Sequence, residues 1–334
     1  MPVNRLGAVM RRMDWYVAAL LGTVALAALL PARGTPAETV GAATSVAVGL
    51  LFFLYGARLS PRDAFAGLRH WRLHLPVLGF TFVLFPLLGL AAQALPTRVL
   101  PAELATGVVF LCLLPSTVQS AVAFTSLARG NVAAAICSSS FSSLLGVFLT
   151  PLLAALLLHG AADGQVRFSS AQMLSIGAQL LAPFALGQLA RRWIARWIRR
   201  HRALTTVCDR GAILLVVYAA FSSSVNSGIF DRLSAWRLLA LLVLSVALLA
   251  VALGAAAQLA RWLRIERQDR VTMVFSASTK SLATGLPLAT VLFAGSEVGL
   301  VVLPLMVYHL LQLVACAALA RRWAPRTSPH QGPP

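Results

Sequence analysis

The sequence predicts an all-α membrane protein whose chain crosses the bilayer ten times. Of its 334 residues, 59% are hydrophobic and 11% are charged, with a mean hydropathy of +0.81. A soluble domain carries about 25% charged residues, and a spanning helix needs about 20 mainly apolar ones. The net charge of +18 comes from short arginine clusters between long apolar runs. We therefore expect the chain to contact the lipid bilayer and to have no nucleic-acid partner.

Ten apolar runs between charged or turn-forming breaks are the predicted spans. They occupy residues 15–31, 40–57, 73–95, 102–126, 131–158, 171–190, 211–229, 237–260, 271–293 and 298–320. With the N-terminus inside, the inner segments carry 22 of the 27 arginines and the outer segments carry five. Because short cytoplasmic loops accumulate Lys and Arg, this alternation predicts ten spans in the plasma membrane with both termini cytoplasmic.

Two segments outside the spans have compositions of their own. Residues 191–210 place Trp193 and Trp197 among seven arginines. That pattern is typical of a positively charged cytoplasmic loop, or of an interfacial helix on anionic lipid. Residues 324–334 are predicted to form a disordered cytoplasmic tail. The four cysteines have no paired spacing, so neither a disulfide framework nor a CxxC metal site is expected.

The two halves of the chain match in size and in one unusual feature. Residues 1–160 form a predicted first five-helix repeat, and residues 161–323 form a second. In each half the fourth span is interrupted, at Pro115 in span four and ahead of Pro287 in span nine. Because five is odd, the second repeat must be inverted relative to the first. Inverted repeats with paired broken helices are typical of secondary transporters, whose substrate site lies at the breaks.

The polar residues at these breaks are the predicted substrate site. A broken helix exposes backbone groups to lipid at high cost unless the break lines a cavity or packs against protein. The neutral polar residues beside the breaks are Ser116, Thr117, Gln119 and Ser120 in span four and Ser276, Ser278, Thr279 and Ser281 in span nine. The prolines elsewhere in the spans are interpreted as ordinary kinks: Pro86, Pro151, Pro183 and Pro304.

Lys280 is the only lysine of the chain, and it falls in the middle of span nine. It follows Arg270 by ten residues, about 15 Å along a helix and half of a hydrocarbon core about 30 Å thick. A charge at that depth indicates a functional site, whereas a snorkelling lysine is expected near a helix end. All ten acidic residues fall in loops or at span ends. A site with a lysine, hydroxyls and no acid predicts an anionic or amphipathic substrate.

Spans five and ten contribute further polar groups. A three-to-four spacing in span five defines a face of small residues, namely Ala135, Ser139, Ser142 or Ser143, Gly146 and Thr150. Such a face packs against a neighbouring helix or contacts a ligand, and Ser139 could do both. His309 in span ten is interpreted as a proton relay or as an interhelical hydrogen-bonding group.

Several motifs resemble the bile acid:sodium symporter superfamily. They are LARGN at 127–131, LTPLL at 149–153, FSASTKSLATGLPL at 275–288 and LPLMVYHLLQL at 303–313. The second half looks like the bacterial branch related to the seventh member of solute carrier family 10. The resemblance covers nearly the whole chain. It implies a bacterial inner-membrane protein with a panel domain and a core domain, in which discontinuous helices four and nine cross at the midplane.

The resemblance also implies where sodium would bind. Members that use sodium have a glutamate at the position of Ser278 and a glutamine at the position of Thr81. The neutral oxygens that remain as candidate ion ligands belong to Thr81, Ser120, Ser139 and Ser278. Because the ammonium of Lys280 would repel a cation, sodium coupling is disfavoured. Three alternatives stay open: sodium bound by the remaining oxygens couples transport, Lys280 replaces the ion and transport is coupled to protons, or the protein is a facilitator. No other cofactor is expected.

These patterns predict a secondary transporter that moves an organic anion or an amphiphilic solute by alternating access. The predicted solute-binding residues are Lys280, Thr279, Ser281, Ser116, Thr117, Gln119 and His309. The alternative is a non-transporting membrane regulator of ion homeostasis, which would need partner-binding loops, and the loops here are short. An intramembrane enzyme is disfavoured because HExxH, GxSxG and paired membrane aspartates are absent. The sequence identifies no protein partner.

Overall fold

The computed structural model describes residues 15–58, 71–158, 170–228, 234–293 and 298–324, and the regular structure within these ranges is helical. The first 14 residues lie outside the described residues. So do the predicted boundary between the repeats, at 160–161, and all but the first residue of the predicted tail.

The described ranges contain the following helices. In chain order they are α1 (Trp15–Leu29), α2 (Thr35–Arg58), α3a (Trp71–Gly79), a π turn (Phe80–Leu84), α3b (Phe85–Gln93), α4a (Ala102–Leu113), α4b (Val118–Leu127), α5 (Val132–Leu158), α6 (Ser170–Arg200), α7 (Arg202–Asn226), α8 (Ala235–Trp262), α9a (Arg267–Ser278), α9b (Leu282–Leu292) and α10 (Val298–Trp323).

Within the described ranges, six helices are long and apolar enough to cross a membrane: α2, α3 as a whole, α5, α7, α8 and α10. The bent pair α4a and α4b makes a seventh when it is counted as one span. Helix α1 contains a shorter apolar stretch, and α6 and α9 are not in this set. The chain is therefore a multi-pass helical membrane protein, and the count of ten spans stays a prediction.

The arginine-rich segment after residue 190 is helical. Helix α6 continues through it to Arg200, and α7 begins at Arg202. The side chains of Trp193 and Trp197 are 64% and 49% exposed, and the guanidinium carbon of Arg192 lies 3.8 Å from the Trp193 ring centre. The described part of this segment is therefore helical rather than irregular, and both its contact with anionic lipid and its cytoplasmic position stay predictions.

Helices α2 and α6 approach closely through glycines. A Cβ atom on Gly56 would collide with the carbonyl oxygen of Phe184, and one on Gly187 would collide with that of Phe53. Small residues at such crossings let the backbones of membrane helices touch. Helix α7 packs against α1 and α2. We call α1, α2, α6 and α7 the first helix group.

The remaining helices form the second helix group, around α4a. Helix α4a packs against α3b and α10, α8 packs against α9a and α10, and α5 packs against α4b and α9a. At the centre of this group, the residues from Phe110 to Leu114 are all fully buried. A helix end buried this deeply must find partners for its last carbonyl groups.

Helix α3 contains one π turn, at Phe80–Leu84. The N–H of Phe85 donates to the carbonyl oxygen of Phe80, five residues back. In this five-residue pattern the Thr81 carbonyl would accept from the N–H of residue 86. That residue is Pro86, which has no N–H. Pro86 is therefore not the ordinary kink predicted from the sequence, because with the π turn it leaves the Thr81 carbonyl without a partner in its own helix.

Candidate functional site

Helices α4 and α9 are both interrupted where the sequence predicts it. In α4 the chain is extended from Leu114 to Thr117, and the two halves are bent by 63°. In α9 the chain is extended between Thr279 and Ser281, after which α9b begins. We call Leu114–Thr117 the first interruption and Thr279–Ser281 the second interruption.

The two interruptions contact each other directly. The N–H of Ser281 donates to the carbonyl oxygen of Pro115 at 3.0 Å. The hydroxyl oxygens of Ser116 and Thr279 lie 3.2 Å apart, within hydrogen-bonding distance. Two chain segments 163 residues apart in sequence thus meet in the buried centre of the second helix group.

Helix α5 supports the first interruption with the small-residue face predicted from the sequence. Ser142 accepts a hydrogen bond from the N–H of Ser116 at 3.1 Å, and the hydroxyl of Ser143 donates to the Ser116 carbonyl at 3.2 Å. The hydroxyl of Thr150 donates to the carbonyl of Leu113 at 2.9 Å. A Cβ atom on Gly146 would lie 2.7 Å from the Pro115 ring. This face therefore provides both close packing and hydrogen bonds.

Lys280 crosses from the second interruption to the first. Its side chain is 0% exposed, and its Nζ atom donates to three carbonyl oxygens: Leu114 at 2.8 Å, Cys112 at 3.1 Å and Thr81 at 3.3 Å. Nζ also lies 3.9 Å from the ring centre of Phe85, which is a cation–π distance. An ammonium has three N–H donors, so all of them are engaged. The amine faces protein and not lipid.

Helix α10 holds the second interruption from the other side. Gln312 accepts from the N–H of Lys280 at 2.8 Å and donates to its carbonyl at 2.9 Å. The same amide nitrogen lies 2.9 Å from Nδ1 of His309, which therefore accepts. Tyr308 donates to the carbonyl of Ser278 at 2.8 Å. His309 acts here as a hydrogen-bonding group, and its predicted contact with solute stays a prediction.

The predicted solute-binding residues separate into a buried set and an accessible set. The buried set, which forms the contact between the interruptions, contains Ser116, Thr279, Lys280 and Ser281. Thr117 is half-buried and Gln119 is exposed, and both lie at the start of α4b. Ser281 caps α9b by accepting from the N–H of Thr284 at 3.2 Å. The structure thus brings the buried set together and leaves the start of α4b open to approach.

The four hydroxyls predicted as sodium ligands have different surroundings in this structure. The hydroxyls of Thr81 and Ser278 donate to the carbonyls of Val77 and Val274, at 2.8 and 2.6 Å. Ser139 Oγ is buried without a hydrogen-bond partner, and Ser120 lies half-buried on α4b. The described residues contain no group of three or more His, Cys, Asp or Glu that could hold a metal ion. Sodium binding by these four oxygens stays a prediction, and the carbonyl oxygens of Leu114, Cys112 and Thr81 accept from Lys280 Nζ.

The LARGN motif forms a tight turn that ties α5 to α9a. Arg129 has a φ of 53°, and a Cβ atom on Gly130 would lie 2.7 Å from Val271. The side chain of Asn131 donates to Asp269 at 2.8 Å and accepts from the N–H of Ala134 at 3.0 Å. This motif has a structural role outside the crossing of the interruptions.

A cavity of about 220 Å³ lies between the two helix groups, and sequence reasoning did not find it. Its walls come from α2 and α7 on one side and from α9b and the start of α10 on the other. The lining hydroxyls belong to Thr44, Ser45, Ser223 and Thr290. None of the lining residues is charged. Single hydroxyls scattered over four apolar helices give no periodic signal, so only the folded structure brings them together.

A hydrogen bond between α2 and α9b connects the two helix groups near one end of this cavity. The hydroxyl of Tyr55 on α2 donates to the carbonyl of Ala283 on α9b at 3.1 Å. Tyr55 lies about two helical turns beyond Val48, the last residue of α2 that lines the cavity. The cavity is therefore separated from the Arg58 end of α2 by a direct contact between the groups.

A multi-pass helical membrane protein with two interrupted helices in contact has the architecture of a transporter. The chain belongs to the SBF-like CPA transporter family, whose model matches residues 14–325. It is accordingly a non-enzymatic transporter protein, and its family is the one that the sequence motifs indicated.

Relatives over the full length agree with this assignment. The chain is 47% identical over 324 residues to the Escherichia coli protein named "Putative symporter YfeH", covering 96% of each chain. It is 51% identical over 313 residues to an uncharacterised protein of Pseudomonas aeruginosa, covering 94% of this chain and 93% of the other. It is 30% identical over 319 residues to sodium/bile acid cotransporter 7 of Rattus norvegicus, covering 92% of each.

Proposed function

We propose that this protein moves an organic anion or an amphiphilic solute across the bacterial inner membrane by alternating access. The observation that carries the proposal is the direct contact of two interrupted helices, Ser281 N–H to Pro115 at 3.0 Å and Ser116 to Thr279 at 3.2 Å. Each unpaired backbone group is costly in lipid. A break in a membrane helix is therefore tolerated where it is buried in protein or lines a cavity.

The moving parts of the proposed cycle are the two helix groups. We assign the first helix group to the panel domain and the second to the core domain of a ten-span protein with inverted repeats and both termini cytoplasmic. The cavity of about 220 Å³ lies on the boundary between the groups, where relative rocking would open and close it. Release of the Tyr55 contact with Ala283 would be one step of that rocking.

The lining of the cavity supports an amphiphilic solute. Its apolar residues, including Val48 and Phe293, alternate with the four hydroxyls, and no charged side chain lines it. The anionic group of the solute would bind at the start of α4b, where Thr117, Gln119 and Ser120 are accessible. The first turn of a helix offers unpaired N–H groups and a partial positive charge to an anion.

Uptake into proteoliposomes tests this proposal. We would use a radiolabelled bile acid as the probe, because the vertebrate relatives are named as bile acid cotransporters. Sodium and pH gradients would be imposed separately. We expect saturable uptake that an excess of unlabelled bile acid abolishes and that a neutral sterol does not. Uptake equal to that of empty liposomes for bile acids and for other amphiphilic anions would contradict the proposal.

A matched pair of variants on α2 tests the location of the solute. Ser45→Trp would fill the cavity, and Val46→Trp would place the same side chain at a position that is 73% exposed and outside the cavity lining. We expect uptake to fall at least about tenfold in Ser45→Trp, because the ring occupies the space of the solute, and to be retained in Val46→Trp. Equal uptake by the two variants would exclude the cavity as the solute site.

A further inference from the structure

The environment of Lys280 Nζ is that of a monovalent cation bound by protein carbonyls. Three carbonyl oxygens surround it at 2.8, 3.1 and 3.3 Å, and an aromatic ring faces it at 3.9 Å. Rings of carbonyl oxygens replace the hydration shell of a cation in channels. Here the cation is an ammonium that is covalently part of the chain.

Each of the three carbonyls lacks a partner within its own helix. Thr81 precedes Pro86 in the π turn, as described above. The N–H that would return to Cys112 belongs to Ser116 and bonds to Ser142 instead. Leu114 lies in the extended first interruption. Carbonyls that lack a partner within their own helix therefore converge from two helices on one point, where Lys280 Nζ supplies the donor.

The acidic side chains of the described residues lie elsewhere. Asp209 pairs with Arg58, and Asp269 accepts from Asn131. Glu103 lies in the first turn of α4a, Glu38 lies in the first turn of α2, and Glu266 directly precedes α9a. Among the described residues, the groups in contact with the Lys280 amine are three carbonyls and the Phe85 ring, and none of them is a carboxylate.

We propose that the ammonium of Lys280 is a tethered cation that replaces a free coupling ion at the crossing of the two interruptions. It joins α9 to the free carbonyls of α3 and α4a, so the core assembles without sodium. The consequence for coupling rests on the proposed transport function: solute movement is then independent of a sodium gradient. The assembly itself is independent of that function and can be tested without any solute.

The backbone of Lys280 is fixed at the other side of the crossing. Gln312 holds both its N–H and its carbonyl, at 2.8 and 2.9 Å. A bound ion can dissociate during a transport cycle, whereas this ammonium is anchored to α10 through its main chain. The charge therefore stays at the crossing as the helix groups move.

Thermal unfolding of the purified protein tests the proposal. The wild type would be measured in sodium chloride and in choline chloride at equal ionic strength. Binding of an ion to the folded state raises its stability with ion concentration. We expect Tm to agree within about 1 °C in the two salts, since a protein with its own cation gains nothing from sodium. A saturable rise of Tm in sodium chloride alone would overturn the proposal.

A second experiment tests whether an added amine restores the stability of a variant that lacks the Lys280 amine. Lys280→Ala keeps Cβ and removes the atoms of n-propylammonium. We expect the Tm of this variant to fall by at least about 5 °C and to rise again with n-propylammonium chloride but not with 1-propanol. Met273→Ala is the matched control, because Met273 is buried on α9a and carries no charge. It should lose stability without responding to the amine.

Two outcomes of the rescue would also overturn the proposal. One is equal recovery of Lys280→Ala with propanol and with propylammonium, which would mean that the side chain only fills space. The other is an unchanged Tm in Lys280→Ala. If Lys280→Ala does not fold, Lys280→Met keeps the side-chain length, and the wild-type comparison of the two salts still decides. Absence of uptake with an unchanged response to salt would contradict the transport function and leave the tethered cation standing.

Discussion

The two interruptions occupy corresponding places in the chain but satisfy their backbone groups in different ways. The first interruption is bound by other elements: the N–H of Ser116 donates to Ser142, the Ser116 carbonyl accepts from Ser143, and the Leu114 carbonyl accepts from Lys280 Nζ. The second interruption is capped by its own Ser281 and held by Gln312. The carbonyls of the first interruption thus accept from side chains of other helices, and the second interruption supplies one of these donors, Lys280.

This difference shows that two similar breaks can be satisfied by different chemistry, and their origin in an inverted repeat stays a prediction. If the two interruptions were chemically symmetric, each would need its own donor for its free carbonyls. Here a single lysine serves the end of α4a and the π turn of α3 together. Changes at the second interruption should therefore affect both breaks, and changes at the first should remain local.

The largest effect is expected for Gln312→Leu. This change leaves the N–H and the carbonyl of Lys280 without partners in a fully buried place, and each unsatisfied group costs about 1–3 kcal/mol. We expect a lower Tm together with a loss of uptake, measured by thermal unfolding and in proteoliposomes. Gln258→Leu on α8, away from the crossing, is the control. Equal stability of the two variants would show that the second interruption does not depend on α10.

A smaller effect is expected at the first interruption in Gly146→Ala. The added Cβ would lie 2.7 Å from the rigid Pro115 ring, and such overpacking costs about 1–3 kcal/mol. Gly254→Ala on α8 is the matched control, because its Cβ meets no atom within 4 Å. Thermal unfolding should show a loss of stability for the first variant and none for the second. A neutral Gly146→Ala would mean that α5 does not press on the interruption.

The smallest effect is expected in Thr150→Val, which keeps the shape of the side chain and removes one donor. The Leu113 carbonyl then lacks the bond of 2.9 Å, at a cost of about 1 kcal/mol. Thr39→Val is the control, since the Thr39 hydroxyl is exposed and bonds within its own helix. We expect a small fall in Tm for Thr150→Val alone, with uptake retained. Loss of uptake in Thr150→Val would mean that the first interruption is not local in its effects.

The interruptions and the burial of Lys280 could be predicted because they depend on local residue types. Proline beside hydroxyls in an apolar run signals a break, and a lone charge in such a run signals a buried partner. The small-residue face of α5 followed from the helical period alone. The membrane-spanning class followed from composition, and the family from motifs spread over the chain.

The partners of Lys280 could not be predicted, because they are backbone carbonyls and every residue has one. The π turn at Phe80–Leu84 changes which carbonyl is free, and Pro86 by itself is common in membrane helices. Gln312 could have been identified as a site residue, because it is a polar residue within an apolar span. The cavity depends on the spacing between helix groups, which residue types do not encode locally.

A cysteine cross-link measures the contact of the two interruptions most directly. The four native cysteines would be replaced by alanine, and Ser116→Cys would be combined with Thr279→Cys. Their hydroxyl oxygens lie 3.2 Å apart, so the two side chains are in direct contact, as formation of a disulfide requires. The structure predicts an intramolecular disulfide under mild oxidation, seen by mass spectrometry, and none when Ser116→Cys is paired with Thr290→Cys. No cross-link between positions 116 and 279, or an equal one between 116 and 290, would contradict the account.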